Sequence, residues 1–299
     1  MNYNNLPSSV TLFEVGPRDG LQNEPEFIAT EKKIQFINKL AEAGCKKIEV
    51  GSFAHPKWVP QLKDIKEVYA RIDKHSDVTY SAFIPNMKGL ELAIETGFME
   101  VVNIISASES HNKNNLNKTV AQSLEELGPL VEMANKNGIK FRSYIGTSFG
   151  CPIEGNIPIQ KIVDIAREMD RVGVYEISLG DTTGMSDPVL TFNVFDAVLS
   201  KVAKASVAAH FHSYKGIEFA NVMAALEAGI TVFDGAAGGL GGCPYAPGAT
   251  GNTATEYLVE MFEKMGISTG IDKESIKVCG QYAQQISAYS YDRKCSDKS

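Results

Sequence analysis

The feature of this chain that most constrains its fold is a rhythm. A run rich in β-branched and aromatic residues is followed by a helical stretch, and the pair recurs eight times at intervals of roughly 30 residues. The β-rich runs begin at Val10, Lys46, Val78, Val101, Lys140, Tyr175, Val207 and Thr231. The helical stretches after them cover about 31–44, 59–72, 87–96, 120–137, 159–172, 188–202, 217–228 and 252–265. Five of the helices end in the related phrases AEAG, IETG, NKNG, DRVG and LEAG, where Gly supplies a left-handed cap before the next strand. Strand followed by helix implies parallel strands with crossover helices. Eight such units suit an α/β fold of the (β/α)8 TIM-barrel type, for which about 250 residues is typical. The expectation is a single TIM-barrel catalytic domain over residues 1–299. Its barrel would span about 8–270, with an additional C-terminal helix and tail in 271–299. A doubly wound open sheet is the rival, but VGPRDG stands after the first strand where GxGxxG would be needed.

Bulk properties exclude several function classes. A net charge of −7 and a pI near 5.4 argue against a nucleic-acid binder, which needs a basic face. No apolar run approaches the roughly 18 residues of a membrane helix, so no membrane partner is expected. The opening MNYNNLPSSV lacks the charged and apolar regions of a signal peptide. Cys45, Cys151, Cys243, Cys279 and Cys295 are widely spaced, without CxxC. That pattern suits free thiols in a reducing, cytoplasmic setting. A homo-oligomer, such as a dimer, is the expected assembly.

In a barrel of this kind catalytic residues lie at the C-terminal ends of the strands. Arg18 and Asp19 follow strand one, Glu49 lies on strand two, Asp181 follows strand six, and His210 and His212 lie on strand seven. Cys243 and Asn252 follow strand eight. Side chains two apart on a strand share a face, so both imidazoles of HxH can meet one spot at the barrel mouth. With an Asp across the barrel they suit a divalent ion such as Mg²⁺, Mn²⁺ or Zn²⁺. Asp19 could also cap a turn, since Asp-Gly is a common turn pair. Arg18 offers a planar, permanently charged fork for a carboxylate or an enolate oxygen. Glu49 interrupts an apolar strand and needs a cationic partner, for which Arg18 is available. Arg142, on strand five, reads as a structural core charge.

From Gly235 to Asn252 the chain reads GAAGGLGGCPYAPGATGN, with seven Gly in eighteen positions. Linkers this rich in Gly rarely carry Cys, Pro and Tyr together. The expectation is a mobile active-site loop presenting Cys243 as a proton donor or nucleophile. Asn252 reads either as the cap of the last barrel helix or as an oxygen ligand, with Glu256 one helical turn further on the same face.

These stretches are similar to a known family. GLGGCPYAPGATGN resembles the signature loop of the 3-hydroxy-3-methylglutaryl-CoA lyases. EVGPRDGLQNE (Glu14 to Glu24) and HFHSYKG (His210 to Gly216) resemble that family's other two signature stretches, in the same order. The resemblance implies cleavage of (S)-3-hydroxy-3-methylglutaryl-CoA, a small CoA thioester, to acetoacetate and acetyl-CoA. It implies a (β/α)8 barrel and a Mg²⁺ or Mn²⁺ ion held by Asp19, His210, His212 and Asn252. Arg18 and Cys243 would be catalytic, with Glu49, Asp181 and Glu256 supporting, and His210 or Asp19 would act as base. The RDG and HxH pattern is shared more broadly with isopropylmalate and homocitrate synthases, so an acyl-CoA-dependent Claisen condensation is the alternative. A non-catalytic metal- or CoA-binding barrel is a third.

Overall fold

Each of the eight β-rich runs forms a strand, and the strands pair in sequence order, all parallel, with the last returning to the first to close a barrel. The structure, a computed structural model, describes residues 6–241 and 251–288. The strands are β1 (Thr11–Glu14), β2 (Lys47–Ser52), β3 (Thr79–Phe83), β4 (Glu100–Ser106), β5 (Lys140–Gly146), β6 (Glu176–Asp181), β7 (Ser206–Phe211) and β8 (Val232–Gly235). The helices are α1 (Thr30–Glu42), α2 (Ile65–Arg71), α3 (Met87–Thr96), α4 (Glu109–Leu116), α5 (Val120–Lys136), α6 (Ile159–Val172), α7 (Pro188–Leu199), α8 (Ile217–Ala228), α9 (Thr255–Lys264) and α10 (Lys273–Ile286). No described helix is long and apolar enough to cross a membrane.

The repeated Gly phrases do what their chemistry demands. Gly44, Gly97, Gly138, Gly173 and Gly229 have φ of 104°, 88°, 70°, 97° and 104°, the left-handed region that lets each helix stop and the chain turn into the next strand.

Three local expectations differ from the structure. The stretch 59–72 is not one helix: Pro60–Leu62 forms a 3₁₀ turn and α2 begins only at Ile65. Side chains of α1 hold the break open. Lys33 Nζ donates to the Gln61 carbonyl and, at 2.7 Å, to Asp64, whose other oxygen accepts from Thr30 at 2.8 Å. Helix α4 was not anticipated, because ESHNKNNL has no apolar period. It is set by Ser108, whose hydroxyl accepts from the His111 N–H. The last barrel helix begins at Thr255, not Asn252, and its cap position is Ala254.

The inside of the barrel is charged where apolar layers are usual. Lys47 Nζ lies 3.1 Å from both Glu176 oxygens and 2.8 Å from the Tyr175 hydroxyl, which in turn donates to Glu100. Arg142 reaches Glu176 through Nε at 2.7 Å and Asp234 through Nη2 at 2.6 Å. Its guanidinium carbon lies 4.1 Å from the Phe13 ring centroid and 4.7 Å from that of Tyr144. β2 does not neighbour β6, nor β5 β8, so the Lys47–Glu176 and Arg142–Asp234 contacts cross the barrel. Each buried charge thus has a partner, which offsets a desolvation cost of several kcal/mol per ion.

The cap geometry makes a stability prediction. A Cβ on Gly44 would sit 2.6 Å from the Gly270 carbonyl oxygen, whereas Gly97 has open space around it. Gly97→Ala is expected to cost about 1–2 kcal/mol from its left-handed φ alone. Gly44→Ala should cost measurably more, because a backbone oxygen cannot rotate away. Urea midpoints decide it, and equal losses in the two variants would contradict this packing.

Candidate active site

After β1 the chain turns tightly over Gly16–Gly20, with the N–H groups of Arg18, Asp19 and Gly20 all directed at the Val15 carbonyl at 3.1, 2.8 and 3.2 Å. The two glycines are required by space. A Cβ on Gly16 would lie 2.5 Å from Glu14 Oε1, and one on Gly20 would lie 2.8 Å from the Leu240 side chain. The turn sets Arg18 and Asp19 over the barrel mouth.

Arg18 is buried between two carboxylates. Nη2 lies 2.7 Å from Glu49 Oε2, and Nη1 lies 2.7 Å from Asp19 Oδ1. Its guanidinium also lies over the rings of Phe83 and Tyr144, 5.0 and 5.7 Å from their centroids. Burial disfavours the charge on Arg18, but Glu49 and then Asp19 outweigh it and hold its pKa above the ordinary value. Burial likewise pushes the Glu49 carboxyl up, to about 7, against the pull of Arg18.

Asp19, His210 and His212 form a group able to hold a metal ion, with one ligand atom from each lying within 4.8 Å of the others. His210 is on β7. His212 lies beyond the end of that strand and makes an antiparallel bridge with Asn252, which corrects the expectation that both stand on strand seven. The two-residue spacing still brings the rings together, 5.1 Å between centroids. His210 Nδ1 donates to Asp234 Oδ2 at 3.1 Å, and His212 Nδ1 donates to the Asp181 carbonyl at 3.0 Å. Both partners are acceptors, so each ring turns a proton-bearing Nδ1 toward them, and the tautomer this selects has its lone pair on Nε2.

Asp19 Oδ1 also accepts from Gln22 at 2.9 Å, and Oδ2 accepts from the Asn252 amide at 2.8 Å. Burial would raise the Asp19 pKa, but Arg18, the two histidines and the Asn252 bond together bring it down to about 2. Asn252 Nδ2 further donates to the Leu240 carbonyl at 3.0 Å, while its Oδ1 is buried with no hydrogen-bond partner among the described residues. Two Nε2 lone pairs, a carboxylate held anionic and an orphaned amide oxygen fit a divalent cation.

The remaining expected residues are placed as follows. Asp181 ends β6. Its carboxylate accepts from the Met185 and Ser186 N–H groups at 2.9 and 3.2 Å, and burial raises its pKa to about 6. Glu256 lies at the start of α9. Its carboxylate accepts from the Gly238 N–H at 3.1 Å and packs against Gly280 of α10, where a Cβ would come within 2.6 Å. Cys243 lies outside the described residues. The chain ends flanking 242–250 are at the site: a Cβ on Gly241 would lie 2.6 Å from Asn252 Nδ2 and 3.3 Å from the Asp19 carbonyl oxygen.

Two buried acids were missed in the sequence. Glu14 accepts from the N–H groups of Gly16 and Ala237 at 2.8 and 3.0 Å and from the Thr255 hydroxyl at 2.6 Å, tying β1 to the chain after β8. Asp234 backs His210. The available signal for both was a lone acid in an apolar strand, in LFEV and VFDG, the cue that singled out Glu49.

Comparison with known proteins places the chain in a family. Hydroxymethylglutaryl-CoA lyase YngG of Bacillus subtilis is 46% identical over 93% of this chain and 93% of its own length. The mitochondrial hydroxymethylglutaryl-CoA lyase of Homo sapiens is 41% identical over 98% of this chain and 89% of its own. A solved HMG-CoA lyase from Acinetobacter baumannii, in complex with coenzyme A and 3-methylmalate, superposes with a TM-score of 0.90 at 39% identity, covering 97% of this chain and 95% of that one. The HMGL-like family matches residues 9–282, and the chain belongs to that family.

Proposed function

We propose that this protein is a divalent-cation-dependent lyase that cleaves 3-hydroxy-3-methylglutaryl-CoA to acetoacetate and acetyl-CoA. The observation that carries the proposal is the Arg18 cation fixed between Glu49 and Asp19, beside the Asp19–His210–His212 group. Names and bound coenzyme A among the relatives support the substrate class. Asp19, His210, His212 and the Asn252 amide oxygen would hold Mg²⁺ or Mn²⁺. Such an ion polarises the substrate's tertiary hydroxyl and makes its proton easier to remove.

The chain's own groups then divide the work. The base that takes the hydroxyl proton is His210 or Asp19, and the cation claims a lone pair of each: His210 Nδ1 is engaged by Asp234, and Asp19 Oδ2 also accepts from Asn252. As the O–H proton leaves, the alcohol becomes the ketone of acetoacetate. The electrons of the breaking C–C bond move to the thioester as an enolate. Arg18 faces that developing charge with a planar cation, and Glu49 fixes its orientation. Cys243 supplies the proton that turns the enolate carbon into the methyl group of acetyl-CoA, and the proton the base took from the hydroxyl returns, through solvent, to its thiolate. Buried, unpaired thiols at Cys45, Cys151 and Cys279 suit a reducing compartment, and we place the enzyme in the cytoplasm. For its assembly we propose a homo-oligomer such as a dimer.

Incubation with the thioester tests the activity directly. Acetoacetate and acetyl-CoA should form in equal amounts, stop with a chelator, and resume on adding Mg²⁺ or Mn²⁺. Condensation of acetyl-CoA without cleavage, or cleavage indifferent to chelator, would overturn the proposal.

Arg18→Lys separates the enolate role from ground-state binding. The variant keeps the charge and loses the fork. We expect kcat to fall by about 10²–10³ or more, as for loss of an oxyanion donor, with KM changed only a few-fold. A loss confined to KM would assign Arg18 to a ground-state carboxylate contact.

A further inference from the structure

Resting on the metal-dependent cleavage proposed above, we propose that Asp234 is a positioning residue for the cation site, fixing the tautomer and the plane of His210 so that Nε2 faces the metal. The geometry is a chain of directed bonds. Asp234 stands on β8, almost fully buried, and its two oxygens have different tasks. Oδ1 accepts from Arg142 Nη2 at 2.6 Å. Oδ2 accepts from His210 Nδ1 at 3.1 Å and from the Ser178 hydroxyl at 3.3 Å. Arg142 is itself held from the other side, Nε to Glu176 at 2.7 Å, and stacked against Phe13 and Tyr144. Tyr144 also packs edge-on to His210, with 5.4 Å between ring centroids. The carboxylate is thus locked by Arg142, and the imidazole by the carboxylate and Tyr144.

A purely structural Asp234 would need only its bond to Arg142. Oδ2 does something further, because a carboxylate has acceptors alone and so fixes the His210 proton on Nδ1. Asp234→Asn is the informative change. The buried guanidinium must be met by the amide oxygen. The amide NH2 then faces His210 Nδ1, which has to become an acceptor. The ring proton moves to Nε2, and the ligand lone pair is lost. Glu176→Gln provides the control, since it perturbs the other partner of Arg142 without touching His210.

The test is the affinity for Mn²⁺ or Mg²⁺ of the wild-type protein and both variants, measured by titration without substrate. Asp234→Asn should bind at least 10–100-fold more weakly, the range for loss of such a support. Glu176→Gln should bind within about twofold of wild type, whatever either change does to thermal stability. A folded Asp234→Asn protein with wild-type affinity, or equal losses in both variants, would overturn the proposal. If the wild-type protein bound no cation at this group, the functional reading would fail, and that outcome is distinct. Nitrogen-15 histidine spectra of the cation-free wild-type protein, taken at a pH above the ordinary imidazole range so that the ring is neutral, read the tautomer without the metal and without any variant. A proton on His210 Nδ1 is expected, and a proton on Nε2 would refute the proposal.

Discussion

The orientation of His210 at the mouth of this barrel rests on one buried guanidinium. Arg142 has no exposed surface, yet it holds Glu176 on one side and Asp234 on the other. Through Glu176 it connects to Lys47, and through Asp234 to His210, so a column of alternating charge crosses the barrel interior. Removing one member of such a column leaves an unpaired buried charge, a loss of about 3–5 kcal/mol. An apolar interior of the same volume would be cheaper to bury, but it would give His210 no directional partner. The column makes the imidazole's orientation part of the folded core.

A second set of constraints acts on the backbone. Glu14 joins the start of the Gly16–Gly20 turn to Ala237 and Thr255, so the loops after β1 and β8 are held as a unit. Glu256 and Gly280 lock the neighbouring Gly238 turn against α10, where a Cβ on Gly238 would come within 2.8 Å of the Gly280 carbonyl. The C-terminal helix is thereby a buttress for the Gly-rich stretch. Glu256, which the family resemblance gives a supporting role, makes this contact through its carboxylate.

What could be read in advance follows from what is local. The strand–helix period and the Gly caps depend on neighbours in the chain, and they led to the barrel and to its order. The HxH pair was legible because two residues are one strand repeat, even though His212 steps off the end of β7. Arg18 and Glu49 could be matched because a buried acid needs a cation. The partners of Asp234 and Glu14 were not legible in this way. Asp234 meets Arg142 because β5 and β8 face each other across the closed barrel, and Glu14 meets Ala237 and Thr255 because β8 returns to pair with β1. The break in 59–72 has the same origin, since it is made by Lys33 and Thr30 reaching over from α1. Asn252 fell between two readings; the start of α9 at Thr255 removes the cap, and the buried, partnerless oxygen is the observation that supports the ligand reading.

The central claim is that Asp19, His210 and His212 converge on one catalytic cation. Pulsed electron paramagnetic resonance of the Mn²⁺-loaded protein reads this directly through the nitrogens bonded to the metal. Couplings from two imidazole nitrogens are expected, with one remaining in His212→Ala. A Mn²⁺ signal free of nitrogen coupling in the wild-type protein would contradict the claim and place the cation elsewhere.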